Sequence, residues 1–479
     1  MVDNAKSKPL DLKWKTIYSY SETIKTKSLV GTPETILELK LLIRQAIREN
    51  LTICFRGPGN TFGEVVLNNN HMTIDTRKLE RILSWNKDSG VMVVGAGATL
   101  RDVFETCFSD NWTLSAIPGC LDVTVVGAIS NNVHGKDSVH HGNFGDQVKS
   151  LKILTANEEI REVSSKNDPD LFNAVIGGMG LLGAVIEVTL NLKKIKSPYV
   201  ETFMIPVKNI EECVVLLDQA AKENDFVVCW VDPFLKGKKM GRGFIKCANW
   251  VESSQNWDRK ELDKSLLDST HIFGIIPPKI AWFLFRPLFF RKTMKVLNVV
   301  NYWLQWTLYK LGFDRSIQLF TDYNFILRKV PKVKQVYNPY GAIELQPMIS
   351  ANFGATAFRK LFQLGQNCRF ESLLCVIKKH RKDNCLFSYS GDSYSIGWTI
   401  HLKNRKMAEI LDFNKKLLDL QFKFKGKTFL AKDTLLTSEQ FSKMYPSYKE
   451  FLKIKTQFDP EGTFSSDYYK KTIHQLNVL

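Results

Sequence analysis

Phe55-Arg-Gly-Pro-Gly-Asn-Thr-Phe-Gly63 decides the reading of this chain. It follows the apolar run Leu51-Thr-Ile-Cys-Phe55, which predicts a strand, and it sets Gly57, Gly59 and Gly63 in the turn beyond. Glycines so close together let backbone turn where side chains would clash and come near a large ligand. Successive N–H groups of such a loop converge on an anionic group, as in a phosphate-binding nest.

A second stretch points the same way: Pro118-Gly-Cys-Leu-Asp-Val-Thr-Val-Val-Gly-Ala-Ile-Ser-Asn-Asn-Val-His-Gly-Lys136. Its small residues Gly119, Gly127 and Ala128 admit a flat or phosphorylated ligand. Thr124, Asn131, Asn132 and His134 bring polar groups among β-branched ones, and polar groups that become buried need a partner. The plainer alternative is a glycine-rich turn between strands. Further on, Ile176-Gly-Gly-Met-Gly-Leu-Leu-Gly183 holds a literal GxGxxG at Gly178, Gly180 and Gly183. A dinucleotide fingerprint follows a strand and opens a helix. Here a helix pattern precedes and a strand pattern follows, so the NAD reading is rejected in favour of a tight loop beside the same ligand.

Around these loops the pattern alternates. Thr32-Pro-Glu-Thr-Ile predicts a helix opened by a Thr cap and Pro at the first position. Val91–Ala98 is a strand running into a small-residue turn, followed by a helix over Leu100–Phe108. Val148–Leu154 and Ile160–Val163 pair as strands, Asp170–Ile176 is a short helix and Gly183–Leu192 a strand. From about residue 196 to 425 long helical and aromatic segments alternate with strands such as Phe226–Val231, and the last stretch returns to a compact pattern. The expected class is α+β, in three parts: 1–195, 196–425 and 426–479. At 479 residues the chain exceeds one ordinary core.

The net charge of +17 admits nucleic acid, a membrane surface, an anionic substrate or simply a lysine-rich surface. Neither a long basic tail, an RNA-binding aromatic signature nor zinc-finger spacing is present, so no nucleic-acid partner is expected. The nine cysteines never fall in CxxC spacing, which argues against a zinc site or a disulfide framework and fits a reducing compartment. Met1–Lys8 has no apolar signal-peptide core, so a cytoplasmic protein is expected. The region 271–313 mixes Lys279, Arg286, Arg291, Lys292 and Lys295 with Trp282, Phe283, Phe285, Phe289 and Phe290, and contains no acidic residue. Its longest uncharged run, Val296–Tyr309, is about 14 residues, whereas a membrane span needs ~20. Two readings stay open, a segment docking peripherally on anionic lipid and a core helix pair with snorkelling basic ends; His271 is assigned no role. No GxxxxGK[ST], HExxH or GxSxG occurs. His140 and His141 are adjacent and do not share a helical face, so no metal is expected.

Taken together, Arg56-Gly-Pro-Gly-Asn-Thr-Phe-Gly63, Pro118-Gly, Val126-Gly-Ala-Ile129, His134-Gly-Lys136, Phe144-Gly145 and Gly177-Gly-Met-Gly-Leu-Leu-Gly183 resemble the FAD-binding domain of the vanillyl-alcohol oxidase / p-cresol methylhydroxylase superfamily. Leu430-Ala-Lys-Asp433, Met444-Tyr-Pro446 and Asp459-Pro with Phe464-Ser-Ser-Asp467 are similar to the C-terminal signature of the oxidase subunits of decaprenylphosphoryl-ribose 2-epimerase. The resemblance is strong over 50–190 and 425–470 and loose over 196–330. It implies a two-part FAD-binding domain, formed by 1–195 with the returning segment 426–479, and an α+β substrate (cap) domain over 196–425.

It also implies site residues. Phe55, Arg56, Gly57, Pro58, Gly59, Asn60, Thr61, Phe62 and Gly63 would hold the FAD pyrophosphate through backbone N–H groups. Gly119, Thr124, Val125, Val126, Gly127, Asn131, Asn132, Val133 and His134 would line the path from adenosine to flavin, with Ile186 and Phe429 packed on the cofactor. In covalent relatives a His follows Arg-Gly-x-Gly; here Asn60 stands there, which implies non-covalent FAD. Lys432 would lie near the pyrimidine end of the flavin and stabilise charge gained on hydride uptake. Lys378, Glu344, Gln346 and His401 would complete the pocket. Glu344 replaces the first Gln of a Gln-x-Gln pair, and His401 replaces a cysteine. His401 or Lys432 would accept a hydroxyl proton.

The implied reaction is oxidation of a secondary hydroxyl on a sugar or lipid-linked sugar, the first half of an epimerisation if a partner reductase follows. An aldonolactone oxidase or flavin-dependent reductase of the same fold is the alternative. A non-catalytic, basic membrane-binding protein is the alternative of another class.

Overall fold

The computed structural model describes residues 11–252, 277–326 and 333–477. The first part is built on two small sheets. One has the strand order Leu12–Tyr18, Lys25–Gly31, Met72–Asp75, Ile53–Arg56, and its last two neighbours pair in parallel. That pairing delivers the chain straight from Arg56 into the glycine loop. The other is antiparallel, with Ala184–Asn191 central between Val91–Gly95 and Val148–Leu154. Leu154, Ala184 and Ile186 of the second sheet share a core with Ile53, Met72 and Ile74 of the first.

The helix Ile36–Arg48 covers that core with Leu39, Leu42, Ile43 and Ala46, an i, i+3, i+4, i+7 stripe. Its start corrects the expectation at Thr32. The cap is Thr35, whose side chain accepts from Glu38 N, while the Glu38 carboxylate accepts from Glu34 N. A hydroxyl followed three residues later by Glu satisfies two otherwise unpaired amides, and this outweighs the pull of Pro33. The helices Leu100–Cys107 and Pro169–Val175 and the strands Val148–Leu154, Ile160–Ser164 and Ala184–Asn191 stand close to where periodicity places them. The stretch 118–136 is more than a turn, because Val125–Ser130 is a short helix capped by the Thr124 hydroxyl, which accepts from Gly127 N.

The middle of the chain forms an eight-stranded sheet. Its path is Ser316–Leu319, Tyr199–Val207, Gly243–Trp250, Phe226–Val231, Cys375–His380, Ser393–His401, Ala342–Leu345, with Met348–Ser350 also pairing to Ser393–His401. Side chains alternate between its faces. Cys375, Ile377, Ile396, Trp398 and Ile400 point into a core closed by the helices Ile210–Glu223, Gly354–Cys368 and Met407–Lys423. The intervening positions, Lys378, Ser395, Gly397 and Thr399 among them, face a cavity.

The C-terminal segment packs on the first part. Ile53 N donates to the Thr463 carbonyl at 2.7 Å and Ser465 N to the Ile53 carbonyl at 2.8 Å. Lys471 pairs with Glu64 at 3.0 Å. The fold is therefore α+β, as expected. In the basic aromatic region, Pro278–Phe285 and Arg291–Lys310 are helices, whereas His271 lies outside the described residues. Among the described residues no helix is long and apolar enough to cross a membrane.

Candidate functional site

A cavity of about 520 Å³ runs from Thr76 and Leu79 in the first part, past the glycine loop, to Lys378 and Thr399 on the large sheet. Its volume falls among those of small-molecule and cofactor sites. Phe55, Arg56, Gly57, Pro58, Gly59, Asn60, Thr61 and Phe62 all line it. The loop backbone is pressed against its surroundings. A Cβ on Gly57 would lie 2.9 Å from Thr124 Oγ1, and Gly59 has φ +76° with Arg56 directly beneath it. The Arg56 guanidinium is itself fixed, donating to the Tyr18 carbonyl at 2.8 Å. Asn60 Nδ2 donates to the Asp122 carbonyl at 2.5 Å, tying the loop to the second glycine-rich stretch.

From that stretch Gly119, Thr124, Val126, Gly127, Asn131, Val133 and His134 reach the cavity, and Phe429 closes it from the C-terminal side. Five expected residues are not brought to it. Gly63 is turned against the Asp433 carbonyl, 2.4 Å from where a Cβ would stand. Val125 is fully buried in the core, on the i, i+3, i+4 face that it shares with Ala128 and Ile129 of the short helix. Asn132 is spent on structure: its Nδ2 donates to Asp383 Oδ2 at 3.0 Å and its Oδ1 accepts from Gly145 N at 2.9 Å. Ile186 packs in the shared core of the two small sheets. His401 shares a strand face with Thr399 but lies past the end of the cavity, with its ring 5.1 Å from Phe290 and 5.9 Å from Tyr340. Its Nδ1 accepts from Lys403 N at 3.1 Å. Burial and the Lys403 ammonium push its pKa down to about 4. It is a packed neutral ring there, a correction to its expected place in the pocket.

Two polar arrays stand on the sheet side. In the first, Lys432 Nζ is 3.0 Å from Glu344 Oε1, and Thr399 Oγ1 donates to Glu344 Oε2 at 2.7 Å. In the second, His134 Nε2 is 2.6 Å from the Gln346 amide and His134 Nδ1 is 3.4 Å from Lys378 Nζ. His380 stands edge-on to His134 at 4.8 Å, with its Nε2 2.8 Å from Ser395 Oγ. Burial, reinforced by Lys378, holds the His134 pKa well below the ordinary range, so the ring is neutral. Burial, with Lys432 adding repulsion, lowers the Lys378 pKa to about 8. The Gln346 Nε2 amide donates to His134 Nε2, which leaves His134 Nδ1 facing the Lys378 amine.

These residues fit FAD. The glycine loop leaves backbone bare where phosphates need N–H groups. Asn131 Oδ1 and Gln346 Oε1 are buried acceptors with no hydrogen-bond partner among the described residues, and both residues line the cavity. A polyhydroxylated cofactor and substrate supply the donors that such atoms need.

Tyr20 and Tyr337, which wall the cavity, and Ser395 and Thr399 on its floor are not among the residues expected from the sequence. The last two were accessible: they flank Gly397 at a period of two on one strand face. Tyr20 lies in a loop with no periodic signal, held by a ring contact with Phe62 at 4.9 Å. Among the described residues no group of three or more His, Cys, Asp or Glu is placed to hold a metal ion.

Comparison with known proteins agrees with this geometry. Residues 28–164 match the FAD binding domain family, and residues 354–472 match the D-arabinono-1,4-lactone oxidase family. A decaprenylphosphoryl-β-D-ribose oxidase of Mycolicibacterium smegmatis is 26% identical, over 92% of this chain and 93% of its own. The L-gulonolactone oxidase of Bos taurus is 23% identical over 92% of this chain and 94% of its own. The D-arabinono-1,4-lactone oxidase of Eremothecium gossypii is 22% identical over 57% of this chain and 51% of its own. The chain thus carries a FAD-binding domain of the kind its glycine loops resemble.

Proposed function

We propose that this protein is a FAD-linked oxidoreductase that oxidises a secondary hydroxyl of a sugar or lipid-linked sugar to a ketone, with FAD held non-covalently. The observation that carries the reading is the juxtaposition of a glycine-walled FAD cradle with two lysines, one carboxylate and one neutral imidazole in a single cavity. Bound FAD supplies the two-electron acceptor for the carbinol hydrogen.

The protein's own residues divide the remaining work. Lys378, a free amine in substantial fraction near its pKa of about 8, accepts the hydroxyl proton. His134 orients that amine through Nδ1 and is itself held by Gln346. Lys432 contributes positive charge to the cavity, moderated by its ion pair with Glu344. Because Glu344 and Thr399 present acceptors and a hydroxyl to the substrate, the pocket suits a neutral polyol better than an anion. Tyr20, Tyr337 and Phe429 close the apolar walls and exclude water. Asn60, in place of a tethering histidine, is occupied with the Asp122 carbonyl, which supports a cofactor held without a covalent bond from this loop. A partner reductase acting on the keto product would complete an epimerisation.

A second reading, oxidation of a sugar lactone, is favoured by the match of residues 354–472, which supply Lys378, Thr399 and Lys432.

The test is the visible absorption spectrum of the purified protein before and after denaturation, followed by anaerobic mixing with sugars, sugar phosphates and aldonolactones. Flavin bands that pass into the supernatant and bleach with one substrate class are expected. A colourless protein that takes up no added FAD would remove the enzyme reading.

A further inference from the structure

The helix Arg291–Lys310 has one face built into the protein and one face that no other described residue covers. Met294, Asn298 and Tyr302 are buried. On the opposite side Val296, Val300, Trp303 and Leu304 are between 50% and 62% exposed. Their spacing, i, i+4, i+7, i+8, draws a continuous apolar stripe along the helix. Leu311 and Phe313 extend it past the C-terminus, and Ile280, Phe283 and Leu284 of the neighbouring helix Pro278–Phe285 are exposed as well. Scattered exposed apolar residues need no explanation, but a contiguous stripe of this kind marks a surface that is covered in use.

The charges around the stripe say what covers it. Lys292 and Lys310, exposed at the two ends of the helix, lie on the same side as the stripe, with Lys295 beside it. The Arg242 guanidinium sits 4.1 Å from the Tyr302 ring and 5.8 Å from that of Trp303. Between residues 271 and 313 no acidic side chain occurs. A helix too polar to span a bilayer, with Trp and aliphatic residues on one side and lysines at its flanks, is suited to lie in the headgroup layer. Basic flanks complement an anionic surface.

We propose that this face docks the protein peripherally on anionic phospholipid, with Val296, Val300, Trp303 and Leu304 entering the headgroup boundary. The same element reaches the site: Phe289, in the turn before the helix, packs at 5.9 Å on Tyr337, a wall of the cavity. Docking therefore ties the cavity wall to the lipid surface, and a substrate carried on a lipid would be taken from there; this last step rests on the sugar-oxidising reading, the docking does not.

The test is flotation of the full chain with its cofactor on vesicles of phosphatidylcholine alone and of phosphatidylcholine mixed with phosphatidylglycerol. The protein is expected to float with the mixed vesicles and to be released as salt rises. The double variant V300E/L304E, changed only at exposed positions, is expected to lose at least about tenfold in vesicle affinity while keeping its flavin absorbance. Failure to float on anionic vesicles at low salt, or equal flotation of the variant, overturns the proposal. So does a dimer in gel filtration that V300E/L304E dissolves without any flotation, which would give the face to a second copy of the chain. Flavin absorbance is read separately, so a protein that docks but holds no FAD leaves docking standing and removes the catalytic reading.

Discussion

Lys432 Nζ stands 3.0 Å from Glu344 Oε1, and the pair sits in the wall of the cavity with Thr399 Oγ1 holding the second carboxylate oxygen at 2.7 Å. Glu344 therefore offsets the positive charge of Lys432 within the cavity. The charge balance of the pocket, rather than its shape alone, then sets which substrates enter.

Glu344→Gln leaves Lys432 without its partner in a half-buried cavity. The variant is expected to keep its flavin and its fold, since the amide still accepts from Thr399. Small carboxylates and phosphates should inhibit it about tenfold more strongly, equivalent to ~1.4 kcal/mol of recovered attraction. Inhibition constants for acetate and phosphate, compared between the two proteins, check this; unchanged constants would show that the ion pair does not govern selectivity.

Lys378 gives a pH prediction with a definite sign. The amine accepts a proton only when deprotonated, and burial lowers its pKa to about 8. kcat/KM should therefore rise with pH, pass its midpoint near that value and level off above it. Lys378→Met should lower kcat by roughly 10²–10⁴-fold, the ordinary reach of general-base catalysis, and flatten that limb. A variant retaining the same limb would assign the titration elsewhere.

Much of this site was legible because glycines and strand periodicity report backbone demands directly. The loop at Gly57 and Gly59, the strand before it and the helix after Thr99 follow from local rules, and the structure puts eight consecutive loop residues, Phe55 to Phe62, on the cavity. Register along a strand was read less well. His401 was expected in the pocket, and alternation does put it on the face of Thr399, but only tertiary packing sets where the cavity ends; Phe290, from a distant helix connection, closes over it. Asn132 shows the same limit: a polar residue beside two cavity residues is drawn away by Asp383, far along the chain. Tyr20 and Tyr337 come to one cavity from the first and middle parts of the chain, and no local pattern announces such a meeting.

Gly59 is the position where the cradle has least tolerance. Its φ of +76° is disfavoured for any residue with a Cβ, and that Cβ would stand 2.0 Å from Arg56 Nη2. Gly59→Ala adds about 1–2 kcal/mol of backbone strain and displaces the guanidinium from the Tyr18 carbonyl. FAD affinity, followed by quenching of flavin fluorescence on titration of the apoprotein, should fall at least about tenfold. Gly462→Ala, at φ +65° with open space around it, should carry similar strain yet leave FAD affinity unchanged, which separates damage to the cradle from a general loss of stability.

Lys455 is the strongest test of what holds the C-terminal segment to the first part. Its ammonium is buried and donates to Asp459 Oδ2 and to the Leu181 and Phe464 carbonyls at 2.8, 2.7 and 2.8 Å. Asp459 in turn accepts from Thr463 N and Phe464 N, both at 2.8 Å, which shapes the loop that hydrogen-bonds to Ile53. Lys455→Met keeps most of the side-chain volume but strands the Asp459 carboxylate, and breaking one half of a buried pair costs about 3–5 kcal/mol. Thermal unfolding should begin several degrees lower. Because Ile53 leads directly into the glycine loop, flavin release should accompany the transition. The double variant K455M/D459N, which removes both charges, should recover part of the loss. If K455M alone were as stable as the parent, the buried pair would not be what holds the segment in place.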